Sequence, residues 1–334
     1  MEKLFEYSAQ ELETRLCECA KNGVTELFVH DEALSRDKGR VLRFLRTAER
    51  DAPDLFISIK IDPRILDADV IRLCSGLNVS LELDFAAVAA DVAARTPQLL
   101  FDKKFYSRRC ASLNNAALVF GVRLFFADAA GDSLKAFCDR LNFTVQQYPN
   151  HIDFPQLETS DELQTARVSA TFSGENLRLA RDIAFSCRTF YSAGRAVPWF
   201  NSVLYPLKMP ADKFFADFAE WQRVNNCDFT SGFVPEDEKH DNIEKMQLHF
   251  LQMKYEEKNA APLFSAVRDI VRLNGAFSRV VSDGASVELE TDYNPDDLLS
   301  PESMDIAHFF NDVCMERCLV SVFLTDEGPD YKIL

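Results

Sequence analysis

The chain has 334 residues, of which 47% are hydrophobic and 11% aromatic, so it holds enough apolar material for one large core or two medium ones. Its formal net charge of −16 argues against nucleic acid and against an anionic membrane surface as partners. No apolar run is long enough to span a bilayer, and the start MEKLFEYSAQE lacks the features of a secretory signal, so we expect a cytoplasmic protein. The nine scattered cysteines are typical of reduced thiols in that compartment.

The N-terminal part of the chain alternates helical and extended patterns. Ser8 and Glu11 have the spacing of a capping box, which predicts a helix over residues 9–21. The extended segment VTELFVHD follows that helix. A basic amphipathic helix is predicted over residues 35–50, and the strand LFISIKID ends at Asp62.

The alternation continues to residue 158. A helix capped near Asp67 precedes the strand VSLELDF, and a mostly helical stretch is predicted over residues 86–116. The strand LVFGVRLFFAD, the helix SLKAFCDRLNFTVQQY and the strand HIDFPQLE complete the series. Strands separated by helices in this way predict an α/β fold in which parallel strands form a partial TIM-type (β/α) barrel, and we assign residues 1–165 to it.

Beyond this domain the pattern becomes helical. Segments such as ADKFFADFAEWQRV and APLFSAVRDIVRLNG have the helical period, and CLVSVFL near the end is a short strand. We therefore predict a mainly α-helical C-terminal domain over residues 166–334. Within it, FYSAGRAVPWF places Gly194, Arg195 and Trp199 in an aromatic cluster, where Arg195 either binds a carboxylate or packs between helices.

Polar side chains interrupt the faces of the predicted strands. At period two, the residues that fall on the concave side of a barrel are Lys60, Glu82, Arg123 and Asp153. Further polar residues stand where strands end, and these are His30, Asp31, Glu32, Asp62, Asp84 and Asp128. Two interpretations remain open: acids and bases neutralise one another or face solvent, or they line a wet pocket for a small polar molecule.

Two stretches resemble a known superfamily. They are LFVHDEALSRDKGRVLRFLRTAERDAPDLFISIKIDPRILDADVIRLC and VFGVRLFFADAAGDSLKAFCDRLNFTVQQYPNHIDFPQLE. Both are similar to the radical SAM superfamily, especially its cobalamin-dependent members and oxygen-independent coproporphyrinogen oxidases, over about residues 8–160. The resemblance implies a partial barrel with SAM across its top. It places the methionyl amino group near His30, Asp31 and Glu32, the ribose or carboxylate near Glu82 and Asp84, and the adenine near Gln156.

The sequence departs from that superfamily at its cluster motif. Radical SAM enzymes hold a [4Fe–4S] cluster with a Cys-x3-Cys-x2-Cys loop before their first helix. Here Cys17 and Cys19 lie within the predicted first helix, and Cys314 and Cys318 have no third neighbouring cysteine. The five histidines show no metal-ligand spacing. We therefore predict no iron–sulfur cluster and no metal in this chain, with SAM possible by the resemblance alone.

Our leading hypothesis is a radical-SAM-like protein without radical chemistry. It acts either as a binding or interaction module, with a protein partner, or as the C-terminal part of a longer enzyme whose N-terminal region is encoded elsewhere. The alternative is an enzyme of another class, in which Glu82 and Asp84, with Lys60 or Arg123, carry out acid–base chemistry on a small polar metabolite.

Overall fold

The structure is a computed structural model that describes residues 7–90, 98–157 and 169–334. The chain divides into two compact units, Met1–Leu177 and Arg178–Leu334. The domain boundary predicted at residues 165/166 lies outside the described residues and stays a prediction. Within those three ranges, no helix is long and apolar enough to cross a membrane.

Helix α1 (Ala9–Lys21) begins where the sequence predicts it. The Ser8 hydroxyl accepts a hydrogen bond from the backbone N–H of Glu11 at 3.2 Å, and the Glu11 carboxylate accepts one from the N–H of Ser8 at 2.7 Å. These reciprocal bonds satisfy two backbone donors that a helix start would otherwise leave unpaired. The capping-box prediction is confirmed.

Strands and helices alternate through the rest of the first unit. In chain order they are β1 (Glu26–Val29), α2 (Glu32–Arg36), α3 (Lys38–Asp51), β2 (Phe56–Lys60), α4 (Ala68–Cys74), β3 (Val79–Phe85), β4 (Val88–Ala89), β5 (Leu99–Leu100), α5 (Lys103–Asn115), β6 (Val119–Leu124), α6 (Leu134–Val145) and β7 (His151–Asp153).

Two helical predictions in this unit need correction. The single helix predicted over residues 35–50 is two helices, because Asp37 ends α2 and its carboxylate accepts a hydrogen bond from the Arg40 N–H, which caps α3. The stretch predicted as helical over residues 86–116 contains the antiparallel pair β4 and β5 before α5 begins. Residues 91–97 of that stretch lie outside the described part of the chain.

The main sheet of the first unit is parallel. Among the described residues it has the strand order β1-β2-β3-β6-β7, so each strand pairs with the next one along the chain. Right-handed crossovers that always step in the same direction place their helices on one face, as in a segment of a (β/α) barrel. The predicted α/β fold, with the parallel strands of a partial TIM-type barrel, is confirmed.

The two faces of this sheet differ in chemistry. The apolar face consists of fully buried residues, among them Ile57, Ile59, Leu81, Leu83, Phe120, Val122 and Ile152. On the opposite face one row of aligned residues is polar or small, and it runs Lys60, Glu82, Gly121, His151. The next row toward the carboxyl ends runs Asp84, Arg123, Asp153. The open side of the barrel segment is therefore lined by charge.

The second unit combines helices with a small sheet. Its elements, starting with the helix that crosses the division, are α7 (Gly174–Cys187), a π-helix (Arg188–Ala193), α8 (Phe200–Leu204), α9 (Ala211–Val224), α10 (His240–Glu257), α11 (Phe264–Asp283), β8 (Val287–Thr291), α12 (Pro295–Leu298), α13 (Ile306–Asp312), β9 (Cys318–Thr325) and β10 (Gly328–Ile333). The predicted strand CLVSVFL is β9, the centre of an antiparallel sheet of order β10-β9-β8.

The aromatic segment FYSAGRAVPWF packs helices together. Trp199 is buried edge-on against Phe190. The Arg195 guanidinium donates to the backbone carbonyl and hydroxyl of Ser278 on α11, at 3.0 and 2.9 Å. Of the two interpretations of Arg195, helix packing is the one that these contacts support.

Candidate functional site

A cleft opens at the carboxyl ends of β2 and β3. Its volume is about 420 Å³. Its lining includes the charged residues Glu32, Arg36, Lys60, Asp62, Arg64 and Asp84. Phe105 and Tyr106 form an aromatic wall on one side. This is the edge at which parallel α/β sheets and barrels bind their ligands, because loops and helix starts there can be varied without disturbing the sheet.

Lys60 lies at the centre of the cleft. Its side chain is only 10% exposed, and its ammonium group pairs with Glu32 and, at 2.9 Å, with Asp84 Oδ2. The other carboxylate oxygen of Asp84 accepts from Arg123 Nη1 at 3.2 Å. Burial by itself raises the pKa of Glu32, but the hydrogen bond from Lys60 and the positive charges of Lys60, Arg36 and Arg123 together outweigh it, so the pKa is lowered. Acids and bases on this face therefore pair with one another, as one interpretation of the sequence expected.

The rim of the cleft carries two further ion pairs. Asp62 accepts two hydrogen bonds from Arg64 Nε, at 2.9 and 3.1 Å, and Arg36 lies 3.0 Å from Glu32. Burial raises the pKa of Asp62, but the hydrogen bonds from Arg64 and the positive charges of Arg64 and Arg36 together outweigh burial, so the pKa is lowered. Both arginine side chains are largely exposed, so these pairs can exchange for contacts with a ligand at small cost.

The aromatic wall is fixed by ring packing. The Tyr106 ring lies 4.3 Å from the Phe85 ring and stacks on Phe101 at 4.9 Å between centroids. Its hydroxyl donates to the Ala86 carbonyl at 3.3 Å. Burial raises the pKa of Tyr106, so the phenol is neutral at physiological pH. The wall is a rigid apolar surface against which a planar group can pack.

A second polar cluster lies across the sheet, on β3 and β7. His151 Nε2 is 2.9 Å from Glu82 Oε1 and 3.5 Å from Asp153 Oδ2. Burial lowers the pKa of His151, but the hydrogen bond to Glu82 and the two carboxylate charges outweigh it, so the pKa is raised. This reach across β6 is possible because residue 121 is glycine: a Cβ there would lie 2.0 Å from His151 Nε2.

The remaining predicted site residues lie elsewhere. His30 is exposed beside a separate groove, and Asp31 caps α2 by accepting from the N–H groups of Ala33 and Leu34 at 2.8 and 2.9 Å. Gln156 is buried in the turn after β7. These three residues do not line the cleft, and a role in ligand binding stays a prediction for them.

Asp128 lies in the turn that follows β6. Burial raises its pKa, and the nearby carboxylate of Asp132 raises it further. Asp132 itself is held in a buried ion pair with Arg140 of α6, at 2.8 Å. The turn is therefore anchored by a structural pair that does not include Asp128.

Sequence patterns missed several residues that the fold places in these clusters. Arg36, Arg64 and Tyr106 line the cleft from helices and loops, where strand periodicity gives no signal. His151 does stand at period two from Asp153, so its position on the polar face was readable. Its contact with Glu82 depends on strand order and register, which a single sequence does not show.

The second unit has a half-buried charged cluster around His240. His240 Nδ1 accepts from Arg279 at 3.2 Å, and Nε2 is 3.4 Å from the Gly194 carbonyl, so a neutral imidazole protonated at Nε2 satisfies both contacts. Burial and the neighbouring charges of Arg195 and Arg279 lower the pKa of His240 to about 4, with Asp241 acting in the opposite direction. His240 therefore takes part in helix packing through these contacts.

This environment predicts acid sensitivity of the second unit. Because the unfolded state takes up a proton near the ordinary pKa of 6.5 and the folded state only near 4, stability falls as the pH drops through that window. The full shift corresponds to about 3 kcal/mol, which solvent screening at this half-buried site reduces to about 1–2 kcal/mol. His240→Gln is expected to lose that much less stability than wild type between these pH values.

Urea unfolding followed by tryptophan fluorescence measures this loss, since Trp199 and Trp221 both belong to the second unit. His308→Gln is the control, because His308 is an exposed histidine paired with Asp312 in the same unit. Identical pH dependence of the His240→Gln variant and wild type would contradict the prediction.

Known proteins offer little sequence similarity to this chain. No protein-family model and no curated protein matches it. Solved structures of the radical S-adenosylmethionine methyltransferase TsrM from Kitasatospora setae are similar to part of the chain. One holds a tryptophan substrate and a SAM analogue, and another holds cobalamin and a [4Fe-4S] cluster.

The extent of this similarity is limited. Each match has 9% sequence identity and a TM-score of 0.35, and it covers 44% of this chain. The chain spans only 30% of the methyltransferase's own length. The match is a distant structural similarity to a radical SAM enzyme, and it assigns neither a family nor a reaction.

Proposed function

We propose that the first unit is a binding module for a small polar molecule that carries both a positive and a negative group. The observation that supports this is the charge balance of the cleft, which is lined by three acidic and three basic side chains. Equal numbers of each sign favour a zwitterionic or neutral ligand over a polyanion. The volume of about 420 Å³ lies within the range of small-molecule sites.

The contacts inside the cleft suggest how such a ligand binds. A ligand carboxylate accepts a hydrogen bond from Lys60, which pairs with two protein carboxylates when no ligand is bound. A ligand ammonium group donates to Glu32 or Asp62. A planar ring packs against Tyr106. SAM, which the sequence resemblance implies, has all three groups and is the first compound to test. On this proposal the chain is radical-SAM-like and binds its ligand without radical chemistry.

Lys60→Met is expected to weaken binding of such a ligand by about 10–100-fold, because a hydrogen bond to a charged group contributes about 1.5–3 kcal/mol. Isothermal titration with SAM, S-adenosylhomocysteine, cobalamin and a sugar phosphate measures this. The variant keeps its fold, since Asp84 retains Arg123 and Glu32 retains Arg36 as partners.

The matched control for this experiment is Lys38→Met. Lys38 is also a lysine shared by two carboxylates, Asp67 and Asp69, but it lies outside the lining of the cleft. Its substitution is expected to leave affinity unchanged. Equal effects of the two substitutions, or no binding by wild type across the panel, would sink the proposal.

An enzyme of another class is the second candidate. The observation that favours it is the buried Glu82 carboxylate hydrogen-bonded to the His151 imidazole, an arrangement that suits proton transfer to or from a bound metabolite. Mass spectrometry of a ligand recovered after long incubation separates the two functions. A binding module returns the ligand unchanged, whereas an enzyme converts it, and Glu82→Gln then abolishes the conversion.

A further inference from the structure

Three side chains with metal-binding donor atoms converge on the polar face of the sheet. Glu82, His151 and Asp153 each present one donor atom, and these atoms lie within 4.8 Å of one another. His151 Nε2 is 2.9 Å from Glu82 Oε1 and 3.5 Å from Asp153 Oδ2. Donor atoms about 2.1 Å from one ion lie about 3.0–3.4 Å apart, so small side-chain movements bring all three onto a single ion.

A buried oxygen of Glu82 points independently to a ligand here. The Glu82 side chain is 8% exposed, and its Oε2 atom is buried without a hydrogen bond to any residue that the structure describes. Leaving a charged oxygen in this state costs more than the roughly 1–3 kcal/mol typical of a neutral group. A bound cation would satisfy it.

The obvious protein cation does not fill this role. Lys60 is aligned with Glu82 across the β2–β3 ladder, yet its ammonium group pairs with Glu32 and Asp84. Within the described ranges, His151 is the residue whose side chain pairs with Glu82, and it contacts only the other carboxylate oxygen, Oε1. The Oε2 atom of Glu82 therefore stays a buried acceptor that neither Lys60 nor His151 satisfies.

Gly121 makes the arrangement possible. It separates Glu82 and His151 in the aligned row, and a Cβ at this position would lie 2.0 Å from Nε2 and 2.3 Å from Cε1 of the imidazole. Contacts this short do not occur at real Cβ atoms, so any larger residue would push the ring away from Glu82. The absence of a side chain at position 121 of β6 lets Glu82 of β3 and His151 of β7 meet.

We propose that Glu82, His151 and Asp153 bind one divalent transition-metal ion that accepts mixed oxygen and nitrogen ligands, such as Mn²⁺ or Fe²⁺. Two carboxylates and one imidazole suit these ions better than Ca²⁺ or Mg²⁺, which prefer oxygen alone. Asp153 is 44% exposed, so the ion is reached from solvent and keeps positions open for water or a substrate. None of the three residues lines the cleft of the proposed function, so the two proposals stand separately.

Titration with Mn²⁺, followed by the electron paramagnetic resonance of the free ion, tests the site. Mn²⁺ is the appropriate probe because the nine cysteines of the chain would compete for Zn²⁺. Wild type is expected to bind one ion per chain in the presence of excess Mg²⁺. His151→Gln and Glu82→Gln are expected to bind at least about 100-fold more weakly, since even an outer partner of a metal ligand contributes about 10–100-fold.

Two controls locate the ion. His308→Gln removes an exposed histidine that pairs with Asp312 at 3.0 Å, and it is expected to bind Mn²⁺ as wild type does. NMR spectra of the five ¹⁵N-labelled imidazoles add a readout that does not depend on affinity, because bound Mn²⁺ should broaden the His151 signals first. Gly121→Ala tests whether the His151 ring needs the space left by glycine. This variant is expected to lose Mn²⁺ binding, while its far-UV circular dichroism stays unchanged.

Absence of stoichiometric Mn²⁺ binding by wild type would overturn the proposal, as would unchanged binding by His151→Gln. Broadening that begins at other histidines would show that the ion binds elsewhere on the protein, and this result would also overturn the proposal. Any of these results leaves the effect of Lys60→Met on cleft binding untouched, so failure of the metal site is distinguishable from failure of the proposed function.

Discussion

Asp132→Asn is expected to lower the free energy of unfolding of the first unit by about 3–5 kcal/mol, because it breaks a buried ion pair and leaves the partner charge behind. Both side chains of the pair are 3% exposed. Arg140 Nη1 donates to Asp132 Oδ1 at 3.0 Å and Nη2 donates to Oδ2 at 2.8 Å, which is a bidentate arrangement. The buried guanidinium cannot lose its proton, so the loss of its partner is not relieved by titration.

The pair also holds the chain where it leaves β6. Asp132 accepts from the backbone N–H groups of Ala127 and Ser133, each at 2.9 Å, and Arg140 donates to the Phe125 carbonyl at 2.9 Å. Ala127 donates to Oδ2 and Ser133 donates to Oδ1, so asparagine keeps an acceptor for only one of these backbone donors, and the expected loss includes that hydrogen bond as well as the charge. Removal of the Asp132 charge also removes one cause of the raised pKa of Asp128, whose pKa should fall.

Hydrogen exchange of peptides from β6 and α6, measured by mass spectrometry in increasing urea, reports this loss, since the first unit contains no tryptophan. Asp139→Asn is the matched control: Asp139 is an exposed aspartate on the same helix, and its effect should stay within about 0.5 kcal/mol. A double variant with Arg140→Met should lose less than the sum of the single losses, and strict additivity would contradict the buried-pair explanation.

Strand positions and the polar face of the sheet could be predicted from the sequence because both depend on local pattern. The alternation of Ser80, Glu82 and Asp84 with apolar residues survives in β3, where the two sets point to opposite faces. Lys60 was placed on the same face by the same period, and the structure aligns it with Glu82. Parallel strands joined by helices then bring the strand ends to one edge.

Contacts between distant segments could not be predicted in this way. Strand register decides that Gly121 stands between Glu82 and His151, and register depends on pairing along the whole sheet. Cleft residues such as Tyr106 come from helices whose packing has no signature in spacing. In the second unit, β8 and β10 are short or polar and exposed, so they lack the apolar alternation that revealed β9.

Gly275→Ala is expected to destabilise the second unit by about 2–3 kcal/mol, although alanine favours helix over glycine by about 1 kcal/mol. The reason is Glu244, whose carboxylate lies directly over Gly275: a Cβ there would be 2.0 Å from Oε2 and 3.1 Å from Cδ. Glu244 is buried and accepts from Arg279 Nη1 at 2.6 Å, so a shift of its carboxylate away from position 275 disturbs this buried ion pair. Burial raises the pKa of Glu244, and the hydrogen bond from Arg279 lowers it by less than burial raises it.

The sign of the effect should reverse when Glu244 is removed. In a Glu244→Ala background the methyl group added at position 275 meets no carboxylate, so the helix preference remains and Gly275→Ala should stabilise by up to about 1 kcal/mol. Urea unfolding followed by tryptophan fluorescence measures all four proteins of this cycle, because Trp199 and Trp221 lie in the second unit. Destabilisation of equal size in both backgrounds would mean that the close approach of Glu244 to α11 does not limit position 275, and would refute this packing of α10 on α11.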